Sequence, residues 1–127
     1  KSVMKKVIAT PDAPKAVGPY SQAIEVNGTL YISGQIPVNP ADGQIQEEIT
    51  AAAHQSLKNI GAILKEAGMT YDNVVKTTVL LADIADFKAV NEVYAEYFTG
   101  DKPARACYQA AALPLGVKLE IEAIAVK

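Results

Sequence analysis

The sequence predicts an α+β domain, a mixed β-sheet with two helices packed on one face. Three observations predict it. β-rich runs and two helical stretches follow one another as strand, hairpin, helix, strand, helix, strand, strand. The run Val79-Leu80-Leu81 is apolar on both faces, as an interior strand is. Each helical stretch carries one apolar stripe, and packing both on one sheet face is the economical way to bury them.

Lys5 to Thr10 reads as a short edge strand, stopped by Pro11 and Pro14, which cannot donate to a ladder. After the loop Val17–Gln22, the strands Ala23–Val26 and Thr29–Ser33 flank Asn27-Gly28, the pair that fits a type I′ hairpin turn. A loop from Pro37 to Gly43 leads to a helix over Glu47–Ala67, with Ile49, Ala53, Leu57, Ile60 and Leu64 as its stripe. Glu47 and Glu48 suit its start, Lys65 its last turn and Gly68 its C′ position. Asn73–Ala82 is an interior strand. Asp83 or Asp86 can cap a second helix ending near Phe98, striped by Phe87, Val90, Tyr94 and Phe98, with Asn91 close to that stripe. The final stretch, Lys102 to Val126, reads as two strands joined by the turn Leu113-Pro114-Leu115-Gly116. Several strands are too apolar for a wet face, and Tyr31 and Tyr108 add aromatic surface. The face away from the helices is therefore expected to be covered by another copy of the chain.

The bulk numbers narrow the function. At 127 residues, half of them apolar, the chain is expected to be one domain over residues 1–127, with Lys1–Lys5 a flexible or non-native N-terminus before or around Met4. A net charge of −2 offers nucleic acid no basic footprint. One cysteine excludes an internal disulfide and fits a reducing, cytoplasmic compartment. No apolar run is long enough to span a bilayer, and no signal peptide is visible.

The chemistry-bearing residues are few. His54 is the only histidine and sits within a helix, so no Ser-His or Cys-His relay is available. One His and one Cys do not make a zinc site, no acidic cluster suggests another metal, and there is no glycine-rich nucleotide loop. Cys107, beside Arg105, is either a small core residue, the plainer reading, or an activated thiol. Arg105 is the only arginine, set among alanines in a strand. Its fork matches a carboxylate bidentately. That carboxylate is Glu120 or Glu122 in a permanent internal pair, the commoner outcome for strand charges, or it belongs to a ligand. Ser33, Asn91, Arg105 and Glu120 all break local pattern in one molecule, as functional sites do.

The fragments Gly18-Pro19-Tyr20-Ser21-Gln22-Ala23, Ser33-Gly34-Gln35, Asn59-Ile60, Val90-Asn91-Glu92-Val93-Tyr94, Pro103-Ala104-Arg105 and Glu120-Ile121-Glu122-Ala123-Ile124-Ala125 occur in this order. Together they resemble the RidA/YjgF family of imine deaminases, over about Ile8 to Val126. The resemblance implies a chorismate-mutase-like fold, a homotrimer with a cleft at each subunit boundary, and no cofactor or metal. It implies hydrolysis of 2-imino acids (2-iminobutanoate, 2-iminopropanoate) to 2-keto acids and ammonia. By resemblance, Arg105 holds the substrate carboxylate, Glu120 positions water, Tyr20, Ser33 and Asn91 line the pocket, and Gly34 and Cys107 contribute backbone. A non-catalytic trimer sensing small carboxylate metabolites in the same cleft is the alternative. Some relatives are described as ribonucleases that inhibit translation, which the acidic charge and the lack of a catalytic histidine oppose here.

Overall fold

Asn27 and Gly28 take φ of 51° and 80°, the left-handed pair that a type I′ turn requires. In this computed structural model, which describes residues 4–127, they join β2 (Ala23–Val26) to β3 (Thr29–Gln35), with Ala23 opposite Ile32 and Val26 opposite Thr29. The expectation for Lys1, Ser2 and Val3 lies outside the described residues. β1 (Lys6–Ile8) pairs antiparallel with β2. It is shorter than the expected Lys5–Thr10. The Thr10 amide donates to the Gln22 side chain at 2.7 Å instead of to a ladder partner.

The remaining elements are α1 (Ile49–Glu66), β4 (Val74–Leu81), α2 (Phe87–Tyr97), β5 (Ala104–Gln109) and β6 (Leu119–Val126). The six strands lie in the order β1-β2-β3-β6-β4-β5. Only β4 and β5 run parallel, so the sheet is mixed. β4 is interior, flanked by β6 and β5, as its two-sided apolar run predicts. β5 and β6, adjacent in sequence, do not pair: β4 lies between them. Residues 110–118 cross that gap. Leu115 within them takes a left-handed φ of 57°.

α1 starts at Ile49 rather than Glu47, because Glu48 acts as its N-cap. The Glu48 carboxylate accepts from the Thr50 and Ala51 amides at 2.8 and 3.2 Å, and these bonds hold its pKa below the ordinary value. Gly68, with φ of 74°, follows the last turn. The buried face of α1 is wider than the expected stripe and includes Ser56, Asn59 and Ile63. On α2, Val90, Val93 and Tyr94 are buried, with Phe98 just beyond, but Phe87 is 40% exposed and leaves the stripe. Asp83 caps the short turn 84–86 through the Ala85 amide, and Asp86 makes no capping bond.

Leu57, Ile60, Ile63 and Leu64 of α1 meet Leu30, Val79, Leu81, Leu119 and Ile121 of the sheet, all fully buried. Each such side chain contributes about 1.5–3 kcal/mol by leaving water. The core therefore lies on one sheet face. Tyr31, Val75, Tyr108 and Val126 are exposed large apolar residues of the strands.

Candidate active site

Arg105 stands on β5, the edge strand, opposite Thr77 of β4. Thr77, Val79 and Leu81 belong to the buried, helix-covered face, so Arg105 is on that side. Its guanidinium reaches α2. Nη1 donates to Asn91 Oδ1 at 2.7 Å, and Cζ lies 4.8 Å from the Tyr94 ring centre and 5.5 Å from that of Phe87. The Tyr94 hydroxyl is hydrogen-bonded to Thr77 Oγ1 at 2.7 Å, which fixes the ring. Cys107, two residues along, is half-buried against the core. Burial pushes its thiol pKa up, against the pull of Arg105, so Cys107 remains a protonated thiol at neutral pH.

Glu120 stands on β6 opposite Leu80, and its neighbours Leu119 and Ile121 are in the core. Alternation puts Glu120 and Glu122 on the other sheet face. Glu120 lies directly over Gly34 of β3, where the register with β6 shifts between Ile32 and Gln35. A Cβ on Gly34 would overlap the Glu120 carboxylate, which would have to swing aside, so glycine is what lets the carboxylate lie this close. Burial, and then repulsion from Glu122, raise the Glu120 pKa above the ordinary value.

Ser33 ties the preceding loop to this point. Its hydroxyl donates to the Ser21 carbonyl at 2.6 Å, and its amide donates to the Gln22 carbonyl at 2.9 Å. Tyr20, next along that loop, is half-exposed, and its hydroxyl accepts only a long bond from the Val17 amide at 3.4 Å. Tyr20 and Gly34 line an open cavity of about 910 Å³ that reaches Ile36, Val38 and Leu115. Ser33 and Glu122 line a smaller one of about 370 Å³. Neither cavity is lined by Arg105.

The seven residues singled out in the sequence thus fall into two groups. Tyr20, Ser33, Gly34 and Glu120 gather around the β3 irregularity. Arg105, Asn91 and Cys107 gather at the β5 edge, on the helix side. The structure does not bring the two groups together within one chain. An internal pair of Arg105 with Glu120 or Glu122 is ruled out by the same geometry, since those carboxylates face the other way. Among the described residues Arg105 makes no ion pair, and the two present are His54–Glu96 and Lys127–Glu25. His54 bonds Tyr97 between the helices, apart from both groups.

Sequence reasoning gave no site role to four residues that shape these groups. Gln22, 6% exposed, clamps the N-terminal loop through the Thr10, Ala13 and Pro14 carbonyls. Asn59, 1% exposed, holds the Ile36 and Val38 carbonyls and so fixes the chain leaving β3. A polar residue inside a buried helix face was the available signal for Asn59. Phe87 and Tyr94 touch Arg105; the stripe pattern assigned both to the core, which holds for the buried Tyr94 and not for Phe87.

Comparison with known proteins gives a consistent result. Residues 10–127 match a family model described as Endoribonuclease L-PSP. A human protein named 2-iminobutanoate/2-iminopropanoate deaminase is 56% identical over 127 residues, covering 99% of this chain and 93% of that protein. The Arabidopsis thaliana protein named Reactive Intermediate Deaminase A, chloroplastic, is 53% identical, covering 98% of this chain and 67% of its own. The crystal structure of E. coli TdcF with bound serine superposes with a TM-score of 0.93 at 44% identity, covering 96% of this chain and 98% of that one. Matching over nearly its whole length in sequence and fold, the chain belongs to the endoribonuclease L-PSP family, the RidA/YjgF family that its motifs resemble.

Proposed function

We propose that the protein is a 2-iminobutanoate/2-iminopropanoate deaminase, hydrolysing 2-imino acids to 2-keto acids and ammonia. The observation that carries this reading is Arg105: an exposed guanidinium, held by Asn91 and two rings, facing no carboxylate of its own chain. Relatives more than 50% identical along the whole chain carry the deaminase name, which supports it.

In this reading the chain assembles as a homotrimer through its uncovered sheet face. Each cleft then takes Arg105, Asn91 and Cys107 from one copy and Tyr20, Ser33, Gly34 and Glu120 from the next. The exposed Tyr31 and Tyr108 support the first statement, and the separation of the two groups supports the second.

The chemistry needs no nucleophile from the protein. With Nη1 engaged by Asn91, the remaining guanidinium N–H groups are left to grip the substrate carboxylate. Water attacks the protonated imine carbon, and Glu120 takes the proton that water loses. Burial and the neighbouring Glu122 raise its pKa, which makes the carboxylate a better proton acceptor. Glu120 then returns the proton to the amino group of the carbinolamine, and as the C–N bond breaks and releases ammonia the hydroxyl gives its proton back to the Glu120 carboxylate, leaving the keto group. Tyr20 and Ser33 orient the substrate. Cys107 and Gly34 line the cleft with their backbone.

The test is ammonia and keto-acid release in a threonine dehydratase reaction. Addition of the protein should accelerate both beyond spontaneous hydrolysis, and no acceleration overturns the reading. The serine bound to TdcF favours one second reading, a carboxylate sensor, which would bind 2-oxobutanoate without accelerating anything. For either, no helix of the described residues is long and apolar enough to cross a membrane.

A further inference from the structure

Phe87, Asn91 and Tyr94 occupy one face of α2, four and then three residues apart, and all three touch Arg105. Phe87 begins the helix stripe yet is not packed into the core. We infer that Phe87 and Tyr94 are positioning residues that form an aromatic seat for Arg105, setting the plane of its fork for the substrate carboxylate. The inference rests on the deaminase reading and deepens it.

The physical case has three parts. A guanidinium within about 6 Å of a ring centre is attracted to the ring face, and both distances fall inside that limit. A long, exposed side chain on an edge strand has many rotamers, and binding an anion with it costs the entropy of choosing one. Two rings and one hydrogen bond make that choice before substrate arrives. The Tyr94 ring is itself held in place by packing and a hydrogen bond: it is 6% exposed, and its hydroxyl is bonded to Thr77, which is 1% exposed. Phe87 supplies the outer side of the seat. Neither ring exchanges a proton with substrate in this scheme, so their effect passes through Arg105.

The discriminating substitutions are at Phe87, because its exposure separates seat from core. Phe87→Leu keeps apolar bulk and removes the ring. Phe87→Tyr keeps the ring. The readouts are the Kd for 2-oxobutanoate by calorimetry, the rate of ammonia release, and the Tm. Phe87→Leu is expected to weaken 2-oxobutanoate about two- to fivefold with Tm unchanged, and Phe87→Tyr to restore wild-type affinity. The carboxamide analogue, which lacks the carboxylate, should bind all three proteins alike. A Phe87→Leu protein with wild-type affinity overturns the seat, as does equal weakening by both substitutions. Should Phe87→Leu fail to fold, Phe87 is a core residue and the seat is likewise refuted. A wild-type protein that neither binds 2-oxobutanoate nor accelerates ammonia release sinks the deaminase reading and the seat with it. Activity in the wild type with an indifferent Phe87→Leu sinks the seat alone.

Discussion

Two inactive chains should make an active enzyme when mixed. Arg105 and Glu120 project from opposite faces of the sheet, on strands separated by β4, so no motion of side chains unites them within one copy. If each cleft draws Arg105 from one copy and Glu120 from its neighbour, Arg105→Ala and Glu120→Gln damage different halves of it. Coexpressed in equal amounts, the two chains assort at random around a closed ring. A cleft is intact when its Arg105 comes from the Glu120→Gln chain and its Glu120 from the Arg105→Ala chain. Each condition holds with probability about one half, so about a quarter of the clefts should carry both residues. Ammonia release by the coexpressed mixture should then approach about a quarter of the wild-type rate per chain, while each variant alone stays near the spontaneous rate. Differently tagged chains and tandem purification enrich the mixed trimers and should raise that fraction. A mixture no more active than its parents, with mixed trimers demonstrated by mass, refutes the shared cleft.

Three further positions have expected outcomes. Arg105→Lys should lose about ten- to a hundredfold in kcat/KM, close to Arg105→Ala, because lysine lacks the planar fork and a charge-assisted bond contributes about 1.5–3 kcal/mol. Tm should fall by only a few degrees in either variant, since the side chain is exposed and relieves no buried charge; a drop above about 10 °C with activity kept would make Arg105 structural. Gly34→Ala should match Glu120→Gln in lost turnover with the fold retained, because its Cβ displaces the Glu120 carboxylate, and wild-type turnover would show that the close approach is irrelevant. Glu122→Gln should move the acid limb of the pH–rate profile to lower pH. The repulsion from Glu122 raises the Glu120 pKa, so removing it lets Glu120 ionise at lower pH, and an unmoved limb denies Glu120 the role of base. The same sign holds for stability. A raised carboxylate pKa favours the folded state at low pH and penalises it as pH rises, so the substitution should stabilise the protein slightly at neutral pH.

Local chemistry made most of the fold legible. Asn27-Gly28 names its turn, the apolar spacing of α1 names its face, and the two-sided run in β4 names an interior strand. What local pattern could not show was pairing. β5 and β6 read as neighbours because only a loop separates them, yet the sheet inserts β4 between them. Strand order is decided by long-range burial, and a parallel β4–β5 pair needs the α2 crossover, which sequence alternation does not encode. Phe87 misled for the same reason. Helical periodicity places it on the stripe, but the first turn of α2 reaches the sheet edge, where Arg105 is the neighbour instead of core.

The candidate site was legible as a set of out-of-keeping residues and illegible as a place. Ser33, Asn91, Arg105 and Glu120 each break a local rule, as an arginine among alanines, a glutamate between core residues or an amide on an apolar helix face does, whereas Tyr20, Gly34 and Cys107 took their site roles from the resemblance alone. Local rules report that a residue is out of keeping, and they carry no information on which face of a sheet the others will occupy. The faces decide the mechanism. A helix-side Arg105 cannot neutralise Glu120, and that separation leaves Glu120 with burial and Glu122 as its environment, which is why its pKa rises and does not fall. Were the two residues packed together in one chain, the guanidinium would hold the carboxylate ionised and both would be committed to each other. Keeping them on opposite faces leaves the cation available for an anionic ligand and the carboxylate available for a proton. In the proposed homotrimer both would meet where one copy's edge strand faces another copy's sheet, so assembly, rather than folding, is the step that would complete the proposed pair.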